Sequence, residues 1–304
     1  MMEKADKFLL KVSLMAHPEY RRAENVDGDF YVDRTCIDCD TCRWMAPEIF
    51  HAAGDQSAVH YQPQTPEERL KAMQALLSCP TASIGTIAKP HDIKDVQQSF
   101  PIPVTENVYH CGFHAESSYA AASYFIQRPE GNVLVDSPRF APPLVKRLEE
   151  LGGIRYLYLT HRDDVADHQK FRDHFGCDRI LHQDEISSST RSVEIQLNGF
   201  DPIELEPDLL IIPVPGHTKG HTVLLYQHTI LFSGDHLAWS ADKQQLIAFR
   251  NACWYSWTEL KKSMQNLANY SFEWVLPGHG RRYHSDRDTM KQQMSRCIAW
   301  MDQQ

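Results

Sequence analysis

The sequence lacks several features that would assign a protein to a specialised class. No apolar run approaches the roughly 20 residues that a membrane-spanning helix requires. There is no repeat and no low-complexity tract, and 14 glycines and 17 prolines among 304 residues exclude collagen-like and disordered chains. Positive charge is also in deficit, and the net charge is -9. This charge argues against broad electrostatic attraction to nucleic acid or anionic lipid.

The N-terminal residues also predict the lack of an export signal. Charged residues run through Met1–Leu14, where a secretory signal would place an uninterrupted apolar stretch. We therefore expect a soluble, cytoplasmic protein that acts on a small molecule rather than on nucleic acid or a membrane. The sequence leaves the oligomeric state open.

The length suggests about two domains, and one segment marks the boundary between them. Residues 91–103 belong to a polar, proline-punctuated stretch without a sustained helical or strand period, which is typical of a linker. We predict a small domain at residues 1–90 and a larger one at residues 104–304.

Four cysteines cluster in the first domain. Three follow one another at intervals of three residues, and the fourth precedes a proline after a helix that Thr65, Pro66 and Glu68 predict by their capping-box pattern. This spacing favours an iron-sulfur cluster over a zinc knuckle, because all-cysteine zinc sites more often use two separated pairs. The four are Cys36, Cys39, Cys42 and Cys79, and the remaining cysteines are predicted to be core thiols.

Residues 28–86 resemble single-cluster bacterial-type ferredoxins. The similarity is carried by residues 33–35, 46–50 and 79–84, which surround the cysteines. It implies a small α+β ferredoxin-like domain with one [4Fe-4S] cluster, since the middle cysteine, Cys39, is present. A redox partner protein is an option that the resemblance raises.

In the second domain, polar side chains follow short apolar strands. Helical patterns lie between the strands, which predicts a layered α/β domain, and side chains collected at strand ends predict one active edge. The residues that follow strands are Asp136, His161, His217, Asp235 and His279.

This half resembles the metallo-β-lactamase superfamily, in a glyoxalase II-like form, over residues 104–285. The resemblance implies an αβ/βα sandwich with one or two metal ions. By position, His217 would serve the first metal, His168 and His279 the second, and Asp235 would bridge, while Asp167 would bind metal and orient the attacking water. The matching motifs are Leu134–Ser137, Leu159–His161, Asp167–His168, Pro215–His221, Ser233–Asp235 and Pro277–His279.

The first metal motif departs from the family pattern His-x-His-x-Asp-His. Asp163 replaces the second histidine, and two extra residues precede Asp167. Alignment from His161 keeps His161 and Asp163 as ligands but requires a bulge, whereas alignment from Asp167 loses one ligand. We favour the first, because the preceding strand fixes His161. A carboxylate makes the site harder, so iron or manganese becomes an option beside zinc.

Three functions remain open. The leading one is a metal-dependent hydrolase of a small ester, thioester or lactone, in which a metal-activated water attacks the carbonyl. The alternative is an iron-dependent oxidoreductase, mono-iron or di-iron, that handles oxygen or a persulfide and draws electrons from the cluster. The third is a non-enzymatic electron-transfer or scaffold protein with a degenerate metal site.

Several other residues near these motifs receive structural roles. Asp136 and His221 are predicted to support the ligands rather than bind metal. Aromatic residues after Asp235 are predicted to form core rather than a pocket wall. These aromatic residues are Trp239, Trp254, Tyr255 and Trp257.

Overall fold

A computed structural model describes residues 16–304, so the segment Met1–Leu14, on which the predicted lack of an export signal rests, lies outside the described residues. The chain forms two compact units that divide between Val96 and Gln97. Within the described part, no helix is both long and apolar enough to cross a membrane.

The first unit is built from two antiparallel strand pairs and two helices. Strands β1 (Phe30–Val32) and β4 (Ile84–Thr86) form one pair, and β2 (Phe50–Ala53) and β3 (Gln56–Val59) form a hairpin. The helices of this unit are α1 (Thr41–Met45) and α2 (Pro66–Ser78), and the next helix along the chain is α3 (Ile93–Gln98). Helix α3 lies in the segment predicted to be a linker without regular structure.

Helix α2 begins as predicted. The Thr65 hydroxyl accepts a hydrogen bond from the Glu68 N–H at 3.2 Å, and the Glu68 carboxylate accepts one from the Thr65 N–H at 3.1 Å. The helix ends one residue before Cys79, which adopts an extended conformation just after the last turn. Leu70 in this helix is 38% exposed. The buried face consists of Ala72, Met73, Ala75 and Leu76.

In the second unit, seven strands form a mixed sheet in chain order. The first four strands pair antiparallel, and the last four pair parallel, with α4 (Pro142–Glu150) and α5 (His168–Phe175) in the parallel crossovers. The strands are β5 (Ile102–Thr105), β6 (Val108–His110), β7 (Tyr124–Ile126), β8 (Val133–Val135), β9 (Tyr156–Tyr158), β10 (Asp178–His182) and β11 (Ile195–Leu197).

A second sheet of six strands has the order β12-β13-β14-β15-β18-β19, and β16 and β17 form a separate hairpin. The strands are β12 (Ile203–Glu206), β13 (Leu209–Pro213), β14 (Thr222–Tyr226), β15 (Ile230–Gly234), β16 (Ala238–Ser240), β17 (Gln245–Ile247), β18 (Trp274–Pro277) and β19 (Tyr283–His284). Helices α6 (Trp257–Leu267) and α7 (Arg287–Met301) complete the unit, and short 3-10 helices lie at Pro18–Tyr20, Glu116–Ser118, Gln183–Glu185 and Arg250–Ala252.

The second sheet is buried on both faces. Side chains alternate along its strands, so Ile211 and Phe232 pack against residues of the first sheet, while Ile212 and Leu231 pack against α6 and α7. Full burial of each such aliphatic or aromatic side chain contributes about 1.5–3 kcal/mol. The layers are therefore those of the predicted αβ/βα sandwich.

The two sheets meet at the edge where the candidate ligands lie. The Tyr158 hydroxyl donates to Thr222 Oγ1 at 2.7 Å, and the Thr222 N–H donates to the Thr160 carbonyl at 3.0 Å. Strands β15 and β18 are parallel neighbours, so their carboxyl ends lie side by side. The ends of β9, β15 and β18 and the loop between β13 and β14 thus converge, and they carry His161, Asp235, His279 and His217 respectively.

Candidate metal centres

The four cysteines of the first unit line one cavity. Cys36 and Cys39 come from the loop leading into α1, Cys42 lies in the first turn of α1, and Cys79 directly follows α2. None of the chain's cysteines forms a disulfide. The N–H of Ser57 donates to Cys36 Sγ at 3.4 Å, and the N–H of Ser83 donates to Cys79 Sγ at 3.3 Å. Such hydrogen bonds stabilise negative charge on sulfur, as cluster ligands require.

A local ion-pair network stabilises the segment that contains Cys36, Cys39 and Cys42. Asp38 and Asp40 both have positive φ, at 60° and 63°, a conformation that aspartate tolerates better than most residues. The Arg43 guanidinium donates to Asp38 at 2.7 Å and to Asp40 at 2.6 Å. These bonds fix the backbone turns between the three thiols.

The burial of the thiols also fits a bound cluster. Burial raises the pKa of Cys39 to about 11 and raises the pKa of Cys42 well above its ordinary value. Thiolates are the species that bind iron, so the positive charge of iron must offset the cost of ionising these buried groups.

A second group of candidate ligands lies at the converging strand ends of the other unit. The Oδ2 atom of Asp163 lies 3.5 Å from His217 Nε2 and 3.8 Å from His161 Nε2. The Oδ2 atom of Asp235 lies 3.6 Å and 3.8 Å from the same two nitrogens. Ligands at about 2.1 Å from a tetrahedral ion are about 3.4 Å apart, so these separations are those of metal ligands. The ligand atoms form two groups that share His161: His161 with Asp163 and His217, and His161 with Asp164 and Asp235.

The unpartnered atoms of this group also fit a cation. Nε2 of His161 and of His217 and both carboxylate oxygens of Asp164 are buried without a hydrogen-bond partner. Leaving such a buried polar atom unsatisfied costs about 1–3 kcal/mol. A metal ion bound here would satisfy the two nitrogens.

A hydrogen-bonded chain orients His161 for metal binding. The Thr160 hydroxyl donates to Asp136 at 3.0 Å, and its oxygen lies 3.0 Å from His161 Nδ1. Because the hydroxyl proton goes to the carboxylate, His161 Nδ1 must be the donor to Thr160, which leaves Nε2 as the lone-pair atom. Burial lowers the pKa of His161 to about 4 and raises that of Asp136 to about 7. Asp136 therefore has the supporting position predicted for it.

Two glycines allow the close approach of ligand-bearing segments. A Cβ on Gly234, which has φ +49°, would lie 2.7 Å from Thr160 Oγ1 and 2.8 Å from His221 Nε2. His221 Nε2 instead accepts a hydrogen bond from the Asp235 N–H at 3.1 Å. Next to His217, a Cβ on Gly216 would lie 2.4 Å from the backbone of Leu260. Larger residues at either position would displace the ligand loops.

His279 lies beside this group and is engaged at both ring nitrogens. Nδ1 donates to Asp235 Oδ1 at 2.7 Å, and Nε2 donates to the Tyr119 carbonyl at 3.2 Å. Burial opposes the charged ring, but Asp235 outweighs it and raises the pKa of His279 to about 10. Burial likewise opposes ionisation of Asp235, yet His279 holds the pKa of that carboxyl well below its ordinary value. The structure thus places His279 as a hydrogen-bond partner of Asp235.

Asp167 and His168, which are predicted metal ligands, lie outside the two groups of candidate ligands that the described residues form. Asp167 Oδ2 accepts a hydrogen bond from the Phe140 N–H at 2.8 Å. Nδ1 of His168 lies 3.1 Å from the Arg179 guanidinium, which can only donate. Both side chains therefore have structural partners at the start of α5. In this arrangement neither side chain faces His161, Asp163 or His217 closely enough to share a ligand group with them.

Asp164 takes a place at the site that the sequence did not assign to it. The side chain is fully buried, and one carboxylate oxygen lies within 4.8 Å of ligand atoms of His161 and Asp235. Burial raises its pKa well above the ordinary value, and Asp235 adds to this effect. The adjacent pair of aspartates was the only sequence signal, because the lengthened motif offers Asp163, Asp164 and Asp167 as competing carboxylates.

Asp167→Asn tests whether Asp167 is a metal ligand. The amide oxygen can still accept the Phe140 hydrogen bond, so we expect the metal content of the second unit to remain unchanged. Metal analysis of the purified full chain checks this result. Loss of the second-unit metal in this variant would return Asp167 to the ligand set.

Thr160→Val tests the orienting chain. Valine cannot accept the His161 Nδ1 proton, so we expect metal affinity to fall about 10- to 100-fold, as is usual when a supporting partner is lost. Thr160→Ser is the matched control, since its hydroxyl restores both bonds. Competition with a chelator of known affinity measures the change, and wild-type affinity in the valine variant would contradict the assignment.

Comparison with known proteins separates the two units. Residues 32–86 match the family model of the 4Fe-4S single cluster domain of Ferredoxin I. The first unit contains a single-cluster ferredoxin domain. No curated protein sequence matches the chain.

Solved structures resemble the other part of the chain. The DIM-1 metallo-β-lactamase exposed to ceftazidime aligns with a TM-score of 0.51 and 16% identity, over 65% of this chain and 95% of its own. A metallo-β-lactamase from Pontibacter korlensis aligns with a TM-score of 0.50 and 15% identity, over 66% and 98%. The VMB-1 structure at pH 5.5 aligns with a TM-score of 0.50 and 16% identity, over 66% of this chain and 95% of its own. The second unit has the metallo-β-lactamase fold. At these identities, the likeness establishes the fold alone.

Proposed function

We propose that the second unit is a metal-dependent hydrolase of a small ester, thioester or lactone. The observation that carries this proposal is two groups of candidate ligands at the edge of a metallo-β-lactamase sandwich, which share one histidine: His161 with Asp163 and His217, and His161 with Asp164 and Asp235. The Asp163 side chain is 45% exposed, so the site opens to solvent and to a substrate on that side.

We propose a single ion, because the two candidate groups, His161 with Asp163 and His217 and His161 with Asp164 and Asp235, share His161. The family pattern would place a second ion at His168 and His279. His168 is bonded to Arg179, and both ring nitrogens of His279 already donate hydrogen bonds. Zinc and iron both suit two imidazoles with carboxylates, and manganese suits the harder oxygen ligands.

The proposed hydrolysis needs both a bound metal ion and the protein's own side chains. A bound metal ion supplies Lewis-acid catalysis, which polarises a carbonyl and makes water a better nucleophile. Hydrolysis forms the new acyl–oxygen bond from water, breaks the acyl–sulfur or acyl–oxygen bond of the substrate, and releases a thiol or an alcohol. Asp164 is the group positioned to take the proton that water gives up, because one of its carboxylate oxygens lies within 4.8 Å of ligand atoms of His161 and Asp235.

A second candidate is an iron-dependent oxidoreductase that handles oxygen or a persulfide. Two observations favour it: two imidazoles and a carboxylate form the ligand set of many non-haem iron enzymes, and the same chain carries a ferredoxin domain. Metal identity separates the candidates. Zinc with hydrolysis excludes the second one, whereas iron beyond the cluster's four, with a redox-dependent second signal and no hydrolysis, favours it.

The test uses the full chain, purified anaerobically and loaded in turn with zinc, iron and manganese. We expect at least one metal to support hydrolysis of a member of a thioester, ester and lactone panel. Asp164→Asn should retain the metal but lose about 100-fold or more in kcat, the magnitude typical of a lost proton acceptor. An inactive panel with a fully loaded site, or an Asp164→Asn variant with full activity, would contradict the proposal.

A further inference from the structure

Two aromatic side chains beside the metal ligands are unusually exposed. Trp254 is 66% exposed and Tyr255 is 48% exposed, which corrects the expectation that they belong to the core. Trp239 and Trp257 do pack against the core, as expected. Large aromatic rings that remain open to water forfeit the stabilisation that burial would give, and adjacent exposed rings often mark a binding site.

Hydrogen bonds fix this aromatic pair to a ligand-bearing loop. The N–H groups of Trp254 and Tyr255 both donate to the carbonyl of His217, at 2.9 and 3.0 Å, and the Ser256 N–H donates to the Gly216 carbonyl at 3.0 Å. The Trp254 ring also meets the His217 ring edge-on, with 6.2 Å between centroids. These contacts therefore keep Trp254 and Tyr255 next to His217, a candidate metal ligand.

The pair forms one wall of a cleft of about 470 Å³, a size typical of small-molecule sites. The candidate ligand Asp163 lines the same cleft, so the cleft is continuous with the metal site. Its other lining residues are Arg162, Thr218 and Lys219.

The charges in the cleft indicate what kind of group it accepts. Arg162 donates to the buried carboxylate of Glu185 at 2.8 Å, and Lys219 pairs with Asp184 at 3.2 Å. Both cations are therefore neutralised by the protein itself. The cleft offers two aromatic faces rather than unpaired positive charge, and it favours an uncharged, planar group over an anionic one.

We propose that Trp254 and Tyr255 bind an uncharged aromatic acyl group of the substrate and so determine specificity. The identity of the scissile bond rests on the proposed hydrolase function, whereas the binding of the aromatic group does not. Aromatic substrates would stack on these rings and present their carbonyl toward Asp163 and the metal ligands.

Substrate preference tests the proposal in the metal-loaded full chain. In Trp254→Ala, we expect the ratio of kcat/KM for a benzoyl thioester to kcat/KM for an acetyl thioester to fall about 10-fold, through KM. Phe200→Ala is the matched control, because Phe200 is 53% exposed, stacks on His182 and lies outside the cleft lining. An unchanged ratio in Trp254→Ala, or an equal fall in the control, would overturn the proposal.

A binding measurement separates this proposal from the hydrolase function. Benzamide, which carries the aromatic acyl group without a scissile ester, is titrated by tryptophan fluorescence and calorimetry. We expect Trp254→Ala to weaken binding about 10-fold and Trp254→Phe to retain most of it. If no panel substrate is hydrolysed but this dependence holds, the hydrolase proposal fails and the aromatic site stands. If benzamide binding does not depend on Trp254, the aromatic site is refuted whatever the activity.

Discussion

Asp163→Ala is expected to remove the metal ion from the second unit. The variant deletes one of the converging ligand atoms and leaves His161 and His217 without the carboxylate that faces both nitrogens. Loss of a supporting residue already costs about 10- to 100-fold in affinity, so loss of a ligand should cost more than about 100-fold. Metal analysis after dialysis against a chelator gives the result directly.

Asp163→His is the informative partner of this variant. It restores the spacing His-x-His that the superfamily motif contains, so it should keep a metal ion and shift the preference toward zinc. The full chain without substitution sets the reference for both variants. Retention of the ion in Asp163→Ala at wild-type affinity would show that Asp163 is not a ligand.

Cys42→Ser is expected to abolish the [4Fe-4S] cluster. Cys42 is buried at the base of the cysteine cavity, and a serine oxygen there is a harder and shorter ligand than a thiolate. The visible absorption of the cluster, its labile sulfide and its paramagnetic resonance signal after reduction should disappear together. The metal of the second unit should remain, because its ligands come from other residues.

Cys253→Ser provides the matched control for that experiment. Cys253 is half-buried and lies outside the cysteine cavity, and its Sγ–H donates to the Gly216 carbonyl at 3.2 Å, a bond that serine can also make. The cluster signals should survive in this variant. Survival of a full [4Fe-4S] signal in Cys42→Ser, or equal loss in both variants, would contradict the assigned ligand set.

Much of the architecture was predictable, because local patterns determine it. The Thr65 capping box placed the start of α2, and the alternation of short apolar strands with helical patterns predicted the layered second unit. The spacing of the cysteines and the order of the strand-end motifs were specific enough to identify both folds. These signals depend on neighbours in sequence, so no long-range information was needed.

The ligand assignment within the lengthened motif was not predictable for a physical reason. Between His161 and His168 the chain offers three aspartates, and sequence spacing cannot decide which of them face the metal. In the structure, two residues from outside the motif orient these side chains. Arg179 on β10 donates to Glu194 and contacts His168, and the Phe140 N–H donates to Asp167. These partners lie 11 or more residues from the motif residues that they bind.

The exposure of Trp254 and Tyr255 was equally unpredictable from the sequence. Aromatic residues after a strand are usually core, and the sequence contains no sign that their N–H groups bind the His217 carbonyl. That bond turns the backbone so that both rings face the cleft instead of the interior.

We infer that the chain holds two separate metal sites, and counting the metals of two proteins tests this inference. The full chain and Asp163→Ala are purified anaerobically, and iron, zinc, manganese and labile sulfide are counted per chain with paramagnetic resonance before and after reduction. The account predicts a [4Fe-4S] cluster in both proteins and one further metal ion in the wild-type chain alone. A wild-type chain with no metal beyond the cluster, or the same metal count in both proteins, would contradict it.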